Sequence, residues 1–158
     1  MQKVILVLFV IIISLTISCG GGDDWSRFEN DLFSLIVPAQ SEKVQSKSSV
    51  EFTSEYGAIN IYWSFDQFSV ANIPAKESGR SNPGEEIIES TTATLGNRKV
   101  WWNKTRERSL ITVRMVIPLD LGTIRITGKT DDENLEIIEK SIRSIVIENE
   151  NYFIDSGS

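Results

Sequence analysis

The side chains that most often carry out catalysis or bind metals are scarce in this sequence. It contains no histidine, and Cys19 is its only cysteine. These counts exclude a Ser-His-Asp or Cys-His nucleophile, a histidine-ligated zinc or haem, and a disulfide between two cysteines of this sequence. Serine is plentiful, but neither a Gly-x-Ser-x-Gly elbow nor a Ser-x-x-Lys signature with its partner motifs is present. We therefore expect a protein that is not an enzyme and holds no cofactor.

Carboxylates are the remaining candidates for chemistry, and their spacing favours structural roles. Asp131, Asp132 and Glu133 form a dense group that could bind a cation. Acidic residues at the amino terminus of a helix complement its dipole, however, and the group lacks the loop spacing of an EF-hand. We favour helix capping and expect no metal site. A glycosidase would need two carboxylates across a cleft, for example Asp66 and one of those at positions 85, 86 and 89. The sequence does not indicate that these side chains lie close together.

Two adjacent tryptophans give the clearest indication of a binding surface. Trp101 and Trp102 lie in a predicted strand, so their rings must face opposite sides of it. We expect one ring in the core and the other on a mixed face near Arg114 or Arg125. An aromatic ring beside a guanidinium group could bind a partner or could be a stacked structural pair. These four residues form the candidate binding surface.

The charge of the chain argues against nucleic acid as a partner. The sequence has 16 Lys and Arg against 22 Asp and Glu, a formal net charge of −6. The basic residues are dispersed, apart from Lys104, Arg106 and Arg108, which Glu107 interrupts. That group is typical of a solvated turn. The sequence therefore predicts no nucleic-acid surface.

The first 18 residues have the pattern of an export signal. Lys3 precedes an apolar run over residues 4–13, and residues 14–18, with small hydroxyl side chains at 14, 16 and 18, form the expected cleavage region before Cys19. The apolar run would be roughly 15 Å long as a helix, too short for a hydrocarbon core of about 30 Å. An ordinary secretory signal and a short uncleaved membrane anchor are the alternatives to the lipoprotein signal that the next residues indicate.

The end of this segment resembles the lipobox of bacterial lipoproteins. Ser18 and Cys19 match that motif, while Thr16 stands where leucine is usual, as in the relaxed lipobox of spirochaetal lipoproteins. The resemblance implies that residues 1–18 are removed and that Cys19 carries a diacylglycerol thioether. Glycines at positions 20–22 then favour a flexible tether over residues 19–27, and two or three acyl chains would anchor the protein stably.

Strands dominate the rest of the chain. Apolar or alternating residues predict strands at 32–37, 50–53 and 59–65, with a loop at 41–49. Ile59, Ile61, Trp63 and Phe65 share one face of the third strand. Residues 72–86 read as a loop, and residues 85–90 could add one helical turn. An antiparallel meander follows, with strands at 98–103, 110–118 and 122–128 and a first connection at 104–109.

A helix is predicted after the meander. Thr130 and Glu133 have the spacing of a capping box, and Leu135, Ile138, Ile142 and Ile145 recur at helical steps. We therefore expect an amphipathic helix over residues 131–145 that packs on the apolar side of the sheet. The acidic residues at 148–158 predict a disordered tail.

These elements predict an α+β domain over residues 28–147, with a mainly antiparallel β-sheet and a C-terminal amphipathic helix packed on it. The segments 33–38, 96–101 and 136–145 resemble the PsbP-like fold, named for the extrinsic protein of photosystem II. That resemblance implies an α/β/α sandwich but no particular activity.

The functional prediction is a non-catalytic, protein-binding lipoprotein. We expect it in the bacterial cell envelope, bound to a membrane through the lipid on Cys19, on a periplasmic or surface-exposed face, and with a protein partner that the sequence does not identify. The alternative is a carrier of a small apolar ligand or lipid, held in a cavity between the sheet and the helix.

Overall fold

The computed structural model of the protein describes residues 24–65 and 84–152. The predicted export signal and Cys19 lie outside the described residues. The elements in the described ranges are, in order, β1 (Trp25–Glu29), β2 (Phe33–Pro38), β3 (Glu42–Gln45), β4 (Ser49–Ser54), β5 (Gly57–Ser64), β6 (Glu86–Leu95), β7 (Arg98–Glu107), β8 (Leu110–Pro118), β9 (Thr123–Thr130), α1 (Leu135–Arg143) and β10 (Val146–Ile147). The predicted α+β class with a mainly antiparallel sheet is confirmed.

A seven-stranded sheet forms the centre of the molecule. Its strand order is β3-β4-β5-β9-β8-β7-β6, and all neighbours are antiparallel. The predicted meander is present as β7 to β9, and β5 joins it through pairs such as Ile61 with Ile126. Period-two alternation gives the sheet an apolar side, here called the front face, and a more polar side, the back face. Phe65 departs from the predicted apolar face, because β5 ends at Ser64 and the Phe65 side chain is 59% exposed.

Helix α1 closes the front face. Ile138 and Ile142 are fully buried there and lie directly over Gly128 of β9. A Cβ on Gly128 would approach Ile142 Cδ1 to 2.8 Å, closer than real carbon contacts allow. The absence of a side chain at position 128 is therefore what lets the helix lie against the strand.

A small sheet completes the same core. Its order is β1-β2-β10, and its aromatic residues reach the large sheet. The Phe28 ring lies 5.1 Å from that of Phe52, and the Phe33 ring lies 5.6 Å from that of Trp63, both in edge-to-face geometry. The buried hydrophobic residues on the front face of the large sheet consequently form one cluster with those of the small sheet.

Three strands lie where the sequence predicted other structure. Strand β1 begins at Trp25, inside the expected tether over residues 19–27, and β3 lies inside the expected loop at 41–49. Strand β6 replaces the helical turn expected at 85–90. Each of these segments has weak local periodicity and becomes a strand because a neighbour supplies the hydrogen bonds: β2 for β1, β4 for β3 and β7 for β6.

The start of the helix also differs from the prediction. Thr130 is the last residue of β9, and its hydroxyl donates to the Tyr56 carbonyl oxygen at 2.7 Å instead of capping the helix. Asp131 Oδ1 accepts the backbone N–H of Asn134 at 3.0 Å, and α1 begins at Leu135. The predicted capping box is therefore wrong, because the sheet uses Thr130 first.

Residues 148–152, the first part of the predicted tail, have defined partners in the fold, and residues 153–158 lie outside the described residues. Glu148 Oε1 accepts hydrogen bonds from Ser34 Oγ at 2.5 Å and from Arg27 Nη2 at 3.1 Å. Glu150 pairs with Arg98 at 2.7 Å, and Tyr152 packs against the core. Glu148 and Glu150, two of the acidic residues that suggested a solvated tail, thus have cationic or hydroxyl partners in the fold.

In the described ranges, the helical part of the expected α/β/α sandwich consists of α1 on the front face. The second helical layer is not found among those residues. No helix within residues 24–65 and 84–152 is long and apolar enough to cross a membrane.

Candidate functional site

The two predicted tryptophans lie on opposite faces of β7. Trp102 faces α1 and is completely buried in the main core. Its indole N–H donates to Glu89 Oε2 at 3.2 Å, and the Arg143 guanidinium lies 4.0 Å from the ring centroid. Trp102 is therefore a core residue whose polar edge and ring face are both occupied by charged groups.

Trp101 faces the back and is also buried. Only 4% of the residue is exposed, and it forms a small cluster with Val116, separate from the main core. In the structure as described, its buried N–H has no hydrogen-bond acceptor. The expectation of a solvent-side tryptophan is therefore wrong, because alternation along a strand predicts a residue's face but not how deeply that face is covered. Neither ring is available to a partner.

Arg114 lies on the back face in a polar cluster of its own. Its Nη2 donates to Glu85 Oε1 at 2.9 Å, and its Nη1 donates to Thr105 Oγ1 at 3.0 Å and to Asn103 Oδ1 at 3.3 Å. The Thr105 hydroxyl donates to the same Glu85 oxygen. The Glu85 side chain is only 4% exposed, so its charge requires these donors. Arg114 is first of all the counter-ion of a buried carboxylate.

Arg125 lies on the same face but in another row of cross-strand neighbours. It stands opposite Val116 on one side and Tyr62 on the other, and its Nη1 donates to Ser64 Oγ at 3.2 Å. Trp101 belongs to this row, since it pairs with Val116. The structure thus brings Trp101, Arg114 and Arg125 to one face, puts Trp102 on the other, and leaves only the arginines accessible in part.

A depression on the back face lies next to Arg114. It has a volume of about 350 Å³ and is lined by residues of β4, β5 and β9, namely Glu51, Ala58, Asn60, Thr127 and Lys129. We call it the back-face depression. Thr127 stands directly between Arg114 and Asn60 in the sheet, and Asn60 stands opposite Glu51. The depression therefore continues the row that begins at the Glu85–Arg114 pair.

The back-face depression is lined by polar groups that include one negative and one positive charge. Glu51 supplies a carboxylate and Lys129 an ammonium group, and both residues are exposed. Between them, Asn60 offers an amide and Thr127 a hydroxyl, while Ala58 leaves space because its side chain is short. All of these residues lie on strands with partners on both sides, so the backbone that positions them is held by the sheet.

The basic group that the sequence assigned to a turn has structural partners. Lys104 and Arg106 belong to β7, and only Arg108 lies in the turn, with a φ of 57°. Lys104 forms an ion pair with Glu139 of α1, and Arg106 makes two bonds of 2.6 Å to Asp132. Hydrogen bonds from Arg106 lower the pKa of Asp132 below its ordinary value. These cations hold the helix region to the sheet.

Two of the carboxylates considered for catalysis lie on opposite faces of the sheet. Glu85 faces the back, whereas Glu89 faces the front, where it accepts from Trp102. Asp66 lies outside the described residues. In the acidic group that was considered as a cation site, Asp131 accepts the backbone N–H of Asn134, and Asp132 forms an ion pair with Arg106. Within residues 24–65 and 84–152, no three His, Cys, Asp or Glu side chains are grouped so that they could hold a metal ion.

Sequence reasoning missed the residues of the back-face depression. Alternation indicated that Asn60 pointed away from the core, but it carried no information that β5 pairs with β9. Only that long-range pairing places Asn60 beside Thr127, and Lys129 beside Ala58. The only signal in the sequence was that the outward-facing residues of these two separate strands are polar. Such residues are equally typical of a solvated face, so they did not indicate a site.

No protein-family model matches the sequence, and no curated protein matches it significantly. Among solved structures, cyanobacterial PsbP (CyanoP) from Synechocystis sp. PCC 6803 superposes with a TM-score of 0.61 at 12% identity, covering 82% of this chain and 97% of that chain. A protein from Bacteroides thetaiotaomicron superposes with a TM-score of 0.53 at 11% identity, covering 81% of this chain and 50% of that one. The fold is therefore PsbP-like.

A third structure is less similar. LpqN of Mycobacterium tuberculosis, described as involved in cell envelope biogenesis, has a TM-score of 0.48 at 14% identity over 80% of this chain and 87% of its own. At these levels of identity the first two superpositions establish the fold alone, and the third supports no further argument.

Proposed function

We propose that the protein is a lipid-anchored module of the bacterial cell envelope that binds another protein without catalysis. The observation that carries the binding role is the back-face depression, which is polar, of both charge signs and built on paired strands. The proposed anchor rests on the pattern of residues 1–19, above all on Ser18 and Cys19.

The size and lining of the depression favour a protein partner. Small-molecule sites enclose roughly 300–1,000 Å³ and are lined mainly by apolar side chains. At about 350 Å³ the depression has the size of the smallest such sites, but Glu51, Asn60, Thr127 and Lys129 place polar or charged groups along its lining. It therefore suits one or two polar side chains from the surface of a partner. Because the lining residues lie on paired strands, their backbone is already fixed, so binding loses little backbone conformational entropy.

The competing hypothesis of an apolar-ligand carrier needs space between the sheet and the helix. At Gly128 the side chains of Ile138 and Ile142 fill that space. The aromatic contacts between the two sheets, at 5.1 to 5.8 Å, are also those of a packed core. These contacts favour the protein-binding hypothesis over the carrier.

The test is capture by the full chain solubilised from its membrane with a C-terminal tag. Lys129→Glu reverses the charge at one side of the back-face depression, and Asn60→Arg fills its centre; both residues are exposed, so the fold should be kept. We expect each change to reduce the amount of co-purified partner by about tenfold, which corresponds to roughly 1.4 kcal/mol.

Lys47→Glu is the matched control, because it makes the same charge change at an exposed position in the β3–β4 turn. It should leave capture unchanged. If all three variants retain the same partner at the same level, the back-face depression is not the binding site. If fatty acids or lipids can be extracted from the washed wild-type protein in stoichiometric amounts, the carrier hypothesis replaces this one.

A further inference from the structure

Two charged side chains that line the back-face depression have no partner in the described part of the chain. On the same face, Arg114 forms an ion pair with Glu85 at 2.9 Å. Within residues 24–65 and 84–152, by comparison, the side chains of Lys129 and Glu51 form neither an ion pair nor a hydrogen bond. Both residues are exposed. Their charges are therefore available to a bound molecule.

The positions of Lys129 and Glu51 in the sheet keep the two charges apart. Lys129 stands on β9 opposite Ala58, and Glu51 stands on β4 opposite Asn60. Two strand spacings of about 4.8 Å and two residues at about 3.4 Å each place their Cα atoms roughly 12 Å apart. This distance exceeds the screening length of about 8 Å at physiological ionic strength. Each charge consequently acts on its own part of a bound molecule.

Two uncharged donors lie beside the Lys129 ammonium group. Thr127 precedes Lys129 by two residues on β9, and Asn60 stands directly opposite Thr127. In the part of the chain that the structure describes, neither side chain has a hydrogen-bond partner, so the hydroxyl and the amide can both donate. An ammonium group with two neighbouring donors suits an oxyanion. Glu51 disfavours a second negative charge, so a carboxylate fits better than a doubly charged phosphate.

An accessible aromatic ring extends the same face. Tyr62 follows Asn60 by two residues on β5, so it points to the back at a distance of roughly 7 Å along the strand. It is 43% exposed. Its neighbour on β4 is Ser49, whose side chain is small. The Tyr62 ring therefore offers an apolar contact next to the polar depression, and tyrosine is a residue type that often dominates the energy of a protein interface.

We propose that the partner of this face is a protein that presents an Asp or Glu carboxylate to Lys129 and an apolar side chain to the Tyr62 ring. The carboxylate accepts hydrogen bonds from the Lys129 ammonium group, the Thr127 hydroxyl and the Asn60 amide. The apolar contact at Tyr62 keeps water away from these bonds, which strengthens them. This inference rests on the proposed binding role of the back-face depression and adds the chemistry of the partner.

The experiment is zero-length cross-linking of the tagged full chain in its own isolated membranes. A water-soluble carbodiimide activates a carboxylate, and an amine in direct contact displaces the resulting urea to form an amide. The protein is purified under denaturing conditions, and the linked peptides are sequenced by mass spectrometry. We expect an amide between Lys129 Nζ and an Asp or Glu side chain of another protein. Absence of any link at Lys129, or a link only to a carboxylate of this chain, would overturn the proposal.

Matched variants test each contact. Lys129→Arg keeps the positive charge, but its guanidinium group does not form the amide, so the link should be lost while capture of the partner is kept. Lys47→Arg, at an exposed position in the β3–β4 turn, should leave the link intact. Tyr62→Ala should lower the yield of the link about tenfold, whereas Tyr62→Phe should keep it because the ring makes the contact. Equal yields from Tyr62→Ala and wild type would overturn the apolar contact.

Failure of this inference and failure of the proposed function give different results. If Lys129→Glu and Asn60→Arg reduce capture but no carboxylate is linked at Lys129, the depression binds the partner through other chemistry. If neither variant affects capture, the proposed function itself fails. Anionic phospholipid or polysaccharide that co-purifies with the wild type and is lost from Lys129→Glu would overturn a protein as the occupant.

Discussion

Glu85 and Arg114 form an ion pair in which the carboxylate is deeply buried. The contacts of this pair determine how much stability a substitution there should cost. The Glu85 side chain is 4% exposed, the Arg114 side chain is 25% exposed, and their closest N–O distance is 2.9 Å. Removing one member of such a pair leaves the other charge in a poorly solvated place. Arg114 also donates to Asn103 and Thr105, so it binds two side chains of the neighbouring strand β7 as well as Glu85.

At the residue scale we predict that Arg114→Met lowers the free energy of unfolding by about 2 kcal/mol. The measurement is urea denaturation followed by circular dichroism. Lys99→Met is the control, since Lys99 is an exposed residue of the neighbouring strand and its loss should change stability by less than about 0.5 kcal/mol. Equal stability of the Arg114 variant and the wild type would mean that the pair does not stabilise the fold.

At the element scale, the contact between α1 and β9 depends on a missing side chain. Gly128 allows Ile138 and Ile142 to lie against the strand, and Ile142 Cδ1 would be only 2.8 Å from a new Cβ. The helix is also tied to β7 by Lys104 with Glu139, and its preceding segment by Arg106 with Asp132. Because these ties restrict movement of the helix, it cannot retreat freely from an added methyl group.

We therefore predict that Gly128→Ala destabilises the protein by about 2 kcal/mol, the typical cost of overpacking a core. Urea denaturation measures the change. Lys129→Ala, one residue along the same strand but on the exposed back face, should have a much smaller effect. If both substitutions cost the same, close packing of α1 on Gly128 is not what limits this element.

At the scale of the whole molecule, the ends of the described chain meet in the small sheet. β1 pairs with β2, β2 pairs with β10, and Glu148 binds both Arg27 and Ser34. Because β1 begins at Trp25, the six residue steps from Cys19 can span at most roughly 20 Å. Under the proposed anchoring, the β1 end of the domain would lie within that distance of the membrane surface.

The lipid anchor gives the prediction at this scale. Cells expressing the full chain and fed radiolabelled palmitate should label the wild-type protein, whereas Cys19→Ala should remain unlabelled and leave the membrane fraction. Added protease on intact cells then distinguishes a surface-exposed domain, which is cleaved, from a periplasmic one, which is protected. Equal labelling of both forms would contradict lipid attachment at Cys19.

The sequence by itself determined features that depend on local pattern. The alternation of Ile111, Val113, Met115 and Ile117 predicted β8 with the bounds 110–118 that the structure shows. Apolar spacing predicted α1 and its buried Ile138 and Ile142, and strand geometry predicted the opposite faces of Trp101 and Trp102. Each of these follows from the repeat of a single element, which neighbouring residues along the chain are sufficient to specify.

Only the tertiary structure decided the features that depend on partners distant in sequence. Strands β1, β3 and β6 exist because neighbouring strands supply hydrogen bonds, and Thr130 binds the Tyr56 carbonyl oxygen because β9 ends beside the turn that leads into β5. The burial of Trp101 and the Glu85–Arg114 pair likewise require specific pairings of β6, β7 and β8. Local propensity is weak beside the free energy of such long-range contacts, so the back-face depression became visible only in the folded chain.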